Sequence, residues 1–219
     1  MWNIFKKQKN NIFPGSDGEH IIQKNFNTDK KALSFYNKQV INELAPLMIK
    51  FIEAQEMAFI ATSDKKGECD CSFRAGPAGF IKIVNNKTII YPEYRGNGVM
   101  ASMGNIYENK NIGLFFIDFY RTAVGLHVNG TAEFIKKEDL SRSLGERKDI
   151  VSTLQNTESL NKVIGYVLID VEEAYIHCSK HIPLLQKIDK KIHWSTDSEL
   201  HKGGDAFQVK NHPRPWSKA

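Results

Sequence analysis

Two arginines and a run of small polar residues form the part of this sequence best suited to chemistry. Arg74 closes the segment CDCSFR, and Arg95 opens a stretch that holds Gly96, Asn97, Gly98, Ser102, Gly104 and Asn105. The stretch has little apolar surface to bury and many donors to offer. Guanidinium groups make paired, charge-assisted hydrogen bonds to phosphate. Glycine-rich backbone before a helix turns N–H groups toward an anion. A phosphate-binding loop is one reading. A hairpin connection whose glycines only turn the chain is the other, with Arg74 paired to Glu93 or Glu68 at the surface. Asn97 and Ser102 flank a short helix expected over 99–107, where they either complement its dipole or cap it.

The histidines and cysteines offer less. His177, Cys178 and His181 form H-C-x-x-H, which on a helix sets two imidazoles one turn apart. Cys69-x-Cys71 would place two thiols on one strand face. Neither is a recognised zinc spacing, and structural use is the favoured reading of both. His127 faces away from Leu126 and Val128 on its strand, as an interface residue or a proton donor. Gly76-Pro77-Ala78-Gly79 lacks a following Lys-Ser/Thr, so it is no nucleotide-triphosphate loop.

The elements that must position these groups follow from hydrophobic period. Leu33, Tyr36, Val40, Ile41 and Leu44 recur at helical spacing after Thr28, and Pro46 ends that helix and starts another. From Met57 the period becomes that of strands, over 57–62, to 74, 79–84, 88–91, 112–119, 124–135 and 166–171. Strand 112–119 is almost wholly apolar, which predicts burial on both faces. Residues 137–161 read as a polar helical excursion. Two leading helices and about six antiparallel strands predict a mainly β fold with helices (α+β), a closed or nearly closed barrel. Residues 29–187 form its domain. Residues 1–28 read as an N-terminal arm with turns at Pro14-Gly15 and Ser16-Asp17-Gly18. Residues 188–219 read as a C-terminal arm that docks through Trp194 and Trp216.

A hydrophobic content of 41% suits a globular protein, and a formal charge of +5 is too mild and scattered for a nucleic-acid surface. It is enough to draw in a small phosphorylated molecule. No apolar run reaches membrane-spanning length. Three cysteines make no disulfide framework, and no secretion signal is evident, so a cytoplasmic protein is expected.

EMAFIATSDKKGECDCSFR, GFIKIV and TIIYPEYRGN, followed by NKNIGLFF (109–116), LHVNGTA (126–132) and AYIHCSK (174–180), make a distinctive succession. It resembles the pyridoxamine 5'-phosphate oxidase-like family of flavin-binding split barrels over about residues 32–185, and more closely that family's bacterial branch of FMN-dependent enzymes. The resemblance implies a homodimer with FMN in the cleft between subunits. Arg74, Arg95, Asn97 and Ser102 would hold its phosphate. The backbone of Phe73, Ala75, Tyr91 and Pro92 would meet the flavin's polar edge, and His177, Ser179 and Lys180 would be further contacts.

The crossover lacks the lysine of the better-known oxidases, and Val124-Gly125 stands where they carry a glutamine. Both departures argue against vitamin chemistry, although NHPRPW, with His212, Arg214 and Trp216, echoes those oxidases' substrate grip. The expectation is an FMN-dependent oxidoreductase acting on a small molecule, with NAD(P)H as a candidate electron donor. The alternatives are a haem-binding or haem-degrading protein, with His177 or His181 as axial ligand, and a deazaflavin-dependent reductase.

Overall fold

Strand and helix signals meet first at the N-terminal side of the sheet. Residues 14–155, 163–193, 198–201 and 204–216 are described by a computed structural model of the chain. Ser16 begins helix α1 (Asp17–Asn25), its hydroxyl accepting the Glu19 N–H at 3.1 Å. The Ser-Asp-Gly signal read as a turn is therefore a helix cap, with the Ser-x-x-Glu spacing of a capping box. Helix α2 (Asp29–Gln39) and helix α3 (Pro46–Glu53) follow, and Pro46 opens α3 where its missing N–H costs nothing. Residues 1–13, Trp194 and the end of the 137–161 excursion lie outside the described residues.

Seven strands make one antiparallel sheet: β1 (Met57–Ser63), β2 (Cys69–Ala75), β3 (Lys82–Asn85), β4 (Thr88–Tyr94), β5 (Asn111–Ile117), β6 (Gly125–Lys136) and β7 (Val163–His177). Their order is β2-β1-β5-β6-β7-β4-β3. The strands number seven rather than about six, and the ladder does not close, because β2 and β3 are both edges. β4 runs through Pro92 to Tyr94 instead of stopping there. Its pairing with β3 ends at Lys82↔Ile90, so one edge of β4 is free at Pro92, the setting in which a strand tolerates proline. β7 reaches His177, well past the expected end at Val171.

The long strands bend at a bulge between Asn129 and Gly130. A Cβ at Gly130 would lie 2.0 Å from the Asp170 carbonyl oxygen, so only glycine lets β6 pass β7 there. Beyond the bend the sheet curls, and its interior holds Ile60, Leu114, Phe116, Val128, Ile169 and Tyr91. Helix α4 (Ala101–Glu108) lies on that interior side, with Ile106 in the core and the Asn105 amide donating to Thr62 Oγ1 at 3.1 Å.

A second core lies outside the curl. There Ile90 and Tyr166 meet Leu140, Ile150 and Leu154 of helices α5 (Leu140–Leu144) and α6 (Lys148–Gln155). β5 is not buried on both faces: Ile112, Leu114 and Phe116 point inward, while Gly113, Phe115 and Ile117 are only half-buried. No helix among the described residues is long and apolar enough to cross a membrane.

Candidate functional site

β2 alternates, and its two faces carry different chemistry. Asp70, Ser72 and Arg74 are half-buried on the inner side, while Cys69, Cys71 and Phe73 are exposed on the outer side. The inner side forms one wall of a cleft of about 430 Å³, closed by Glu93 of β4, the loop from Arg95 to Met100, and Ser102 in the first turn of α4. Arg74 donates through Nε and Nη2 to Glu93 Oε2 at 3.1 and 3.0 Å, and through Nη1 to the Phe73 carbonyl at 3.1 Å. The side chains are 18% and 8% exposed, so this is a buried ion pair rather than the surface pair the sequence allowed. Breaking such a pair strands a charge.

Burial pushes the Glu93 carboxyl up, and the Arg74 charge pulls it back only in part. Tyr91 lies in the core beside the pair. Burial, and then the Glu93 charge, raise its hydroxyl's pKa. That hydroxyl lies near enough to feel both charges, but makes no hydrogen bond of good geometry. Asp70 Oδ2 accepts the Ser72 hydroxyl at 2.8 Å, and the buried Ser102 hydroxyl reaches it at 3.3 Å. The cleft thus sets Arg74 and Arg95 against Asp70 and Glu93.

Across its mouth runs the loop, with Gly96, Gly98 and Met100 all in the left-handed region. A Cβ at Gly98 would meet nothing within 4 Å, so the backbone there faces open space, and Gly96 lines the cleft beside it. Asn97 does not cap α4. Its Oδ1 accepts the Val99 N–H at 3.0 Å, and Met100 stands at the cap position without a side-chain bond. Ser102 lies in the N-terminal half of α4, as expected.

The outer face carries a row of rings in register. Phe73 meets Phe59 edge-on at 5.6 Å, and Phe59 pairs with Phe115 across β1 and β5. Phe115 stacks on His127 at 4.5 Å, and His127 on Tyr175 at 4.7 Å. His127 Nε2 lies 3.0 Å from His177 Nδ1, one ring donating to the other. Desolvation, then the His177 charge, lowers the pKa of His127. A Cβ at Gly125 would come within 2.8 Å of the His177 Cβ, so glycine lets that imidazole cross β6. Beside the rings is a hollow of about 570 Å³, larger than the cleft, lined in part by Ala61, Gly113, Asn129, Glu173 and Glu19. It brings together no cationic groups.

Of the predicted residues, the structure gathers Arg74, Arg95, Asn97 and Ser102 around one cleft. Ala75 ends β2 opposite Met57, and Pro92 is half-buried on β4. His177 lies on the outer face, and Ser179 and Lys180 are exposed in the turn after β7, so none of these three lines the cleft. His177 ends a strand and His181 sits in a 3-10 turn, so they share no helix face. No group of three metal-ligating residues occurs among the described residues. Arg214 donates to the carbonyls of His212 and Val209 in its own segment, each at 2.5 Å. Sequence reasoning missed Asp70, Ser72 and the burial of Glu93. The period-two spacing of Asp70, Ser72 and Arg74 was the signal for the first two.

The sequence model of the pyridoxamine 5'-phosphate oxidase family matches residues 44–178, more than half of the chain. The chain belongs to this family. The match runs from Leu44, at the core edge of the helices, through β7, and so contains the whole sheet and the cleft. No curated protein matches. Solved structures similar to this member of the pyridoxamine 5'-phosphate oxidase family include HupZ from Group A Streptococcus, at 22% identity over 61% of this chain and 93% of that one, with a TM-score of 0.46. An FMN-binding protein from Syntrophomonas wolfei is 13% identical over 70% and 96% of the two chains, with a TM-score of 0.42. HutZ, a haem storage protein from Vibrio cholerae, is 14% identical over 61% and 94%, with a TM-score of 0.36.

Proposed function

We propose that the chain is an FMN-dependent oxidoreductase of this family, holding the FMN phosphate in the cleft between β2, β4 and α4. The observation that carries the reading is the convergence of Arg74, Arg95, Asn97 and an open glycine loop on one cavity of about 430 Å³. The fit is chemical as well as spatial, since guanidinium and backbone N–H groups are the donors a phosphate takes. Bound there, the flavin supplies hydride and single-electron transfer. The protein's part is to bind and orient it. Phe73, Ala75, Tyr91 and Pro92 offer backbone groups to the ring's polar edge.

The cofactor would lie at the interface of a homodimer built on the outer face. Phe73 is 54% exposed there, at the end of the row of rings opposite Tyr175, which Phe35 of α2 meets edge-on at 6.0 Å. In that arrangement His177, Ser179 and Lys180 act from the second copy. A small oxidisable substrate, or NAD(P)H as donor, would reach the flavin at the same interface.

One observation favours a second reading. With Nδ1 tied to His127, His177 has Nε2 left to ligate a haem iron.

The visible spectrum of the purified protein, before and after FMN is added, separates the readings. Flavin bands that persist through desalting support FMN. A Soret band supports haem, and deazaflavin bands support the deazaflavin-dependent reductase that the sequence also allows. A colourless protein that ignores FMN and haem overturns both readings.

A further inference from the structure

The cleft is not simply cationic. Its two guanidinium groups face two carboxylates, and the deeper carboxylate, Glu93, already holds the Nε and Nη2 edge of Arg74. Five N–H bonds radiate from a guanidinium, and Glu93 with the Phe73 carbonyl occupies three of them. The guanidinium also comes close to the Tyr91 hydroxyl, which leaves an N–H for a ligand, but a phosphate placed there has a buried negative charge just behind the arginine.

Two like charges on either side of one cation, at low dielectric, favour neutralising one of them. We propose that Glu93 couples anion binding in this cleft to the uptake of one proton, so that a phosphate enters as the Glu93 carboxylate becomes a neutral carboxylic acid. This deepens the FMN reading and rests on it.

The groups around Glu93 set the stage for that exchange. From β2, Arg74 faces it directly, and from β4 its own neighbour Tyr94 donates a backbone N–H to Oε1 at 3.3 Å. Asp70 and Arg95 are the other charges in the cleft. Tyr91, two residues back on the same face of β4, brings a buried hydroxyl without a well-formed hydrogen bond. A carboxylic acid at Glu93 has a proton to donate, and the Tyr91 hydroxyl lies near enough to feel the charge that the proton removes. Burial already moves the Glu93 carboxyl toward the protonated form in the absence of ligand. Hydroxyls from Ser72 and Ser102 approach the Asp70 carboxylate. Glu93 is thus a positioning residue for Arg74 and the proton acceptor of the site.

The test measures FMN dissociation constants by flavin fluorescence at pH 5.5, 6.5, 7.5 and 8.5 for the full chain and for Glu93→Gln. The ratio of the two constants cancels the titration of the FMN phosphate, whose second pKa is about 6. The two proteins should bind within about twofold of each other at the acid end. The unaltered chain should then fall behind by about tenfold or more as pH rises to 8.5. A ratio that stays constant overturns the proposal.

Should Glu93→Gln not fold, calorimetry of FMN binding to the unaltered chain at pH 7.5, in buffers of differing ionisation enthalpy, counts protons directly. Uptake approaching one proton supports the coupling, and none, or release, overturns it. FMN binding with neither signature defeats this inference alone. No FMN binding at any pH defeats the functional reading as well.

Discussion

The ion pair between Arg74 on β2 and Glu93 on β4 spans the seam where the curled sheet does not pair. β2 is one edge of the sheet and β4 lies next to the other, yet their side chains meet at 3.0 Å. Where backbone bonds fail to close the barrel, a buried charge pair joins its ends. The same seam is the wall of the cleft, so one interaction serves the fold and the proposed phosphate site.

Arg74→Ala should therefore lower stability as well as ligand affinity. It leaves Glu93 buried and uncompensated, which costs about 3–5 kcal/mol. Arg74→Ala combined with Glu93→Gln should recover much of that loss, because the stranded charge is gone. Urea unfolding midpoints of the two proteins check it. A double variant no more stable than the single one would mean the pair's charge is not what the seam depends on.

Gly130→Ala tests the bend. Its Cβ would fall 2.0 Å from the Asp170 carbonyl oxygen, a backbone atom that can yield only if the strands shift. Overpacking of this kind costs about 1–3 kcal/mol. The unfolding midpoint should fall accordingly, whereas Gly67→Ala, with open space around it at φ +85°, should cost less.

The histidine pair predicts a pH dependence of stability. Desolvation and the His177 charge lower the folded pKa of His127, so the native ring stays neutral where the unfolded chain, near pH 6.5, begins to take up a proton. Its stability contribution is complete above that pH and is lost as pH falls below it. His127 is half-buried, so screening keeps the effect small, about 1–2 °C in Tm. His127→Phe keeps a stacking ring, and its Tm should fall less between pH 7.5 and 5.5. An unchanged slope would contradict the assignment.

Dimerisation through the outer face predicts that light scattering gives twice the chain mass at micromolar concentration. Phe73→Glu puts a charge on that face and should shift the protein toward monomer by about tenfold or more in dissociation constant, since burying an unpaired charge is costly. A monomeric unaltered chain would remove the interface.

Much of this was legible in the sequence where one signal acted alone. The period-two strands from Met57 onward, the Pro46 helix start and the apolar interior of β6 follow from local pattern. The seam did not, because it brings together β2 and β4 from opposite ends of the sheet, and a lone glycine such as Gly130 does not say how far a strand turns. Arg74 was legible as a candidate for phosphate, but the depth of Glu93 was not, since burial at residue 93 depends on a strand far from it in the sheet. Asn97 was misplaced by a turn: Met100 takes the left-handed cap position, where a non-glycine residue is not expected. The outer ring row was hidden for a different reason. Phe59, Phe73, Phe115 and Tyr175 look like core residues singly, and only the register of five strands aligns them on one face that is half-buried at most.

The central claim is that the cleft grips a phosphate, and comparison of FMN with riboflavin, its form without the phosphate, tests it most directly. The unaltered chain should bind FMN more tightly than riboflavin by about 10–100-fold, the size of one or two charge-assisted hydrogen bonds. Arg95→Ala should erase most of that difference while leaving riboflavin affinity unchanged. Equal affinity of the unaltered chain for the two flavins would contradict the account.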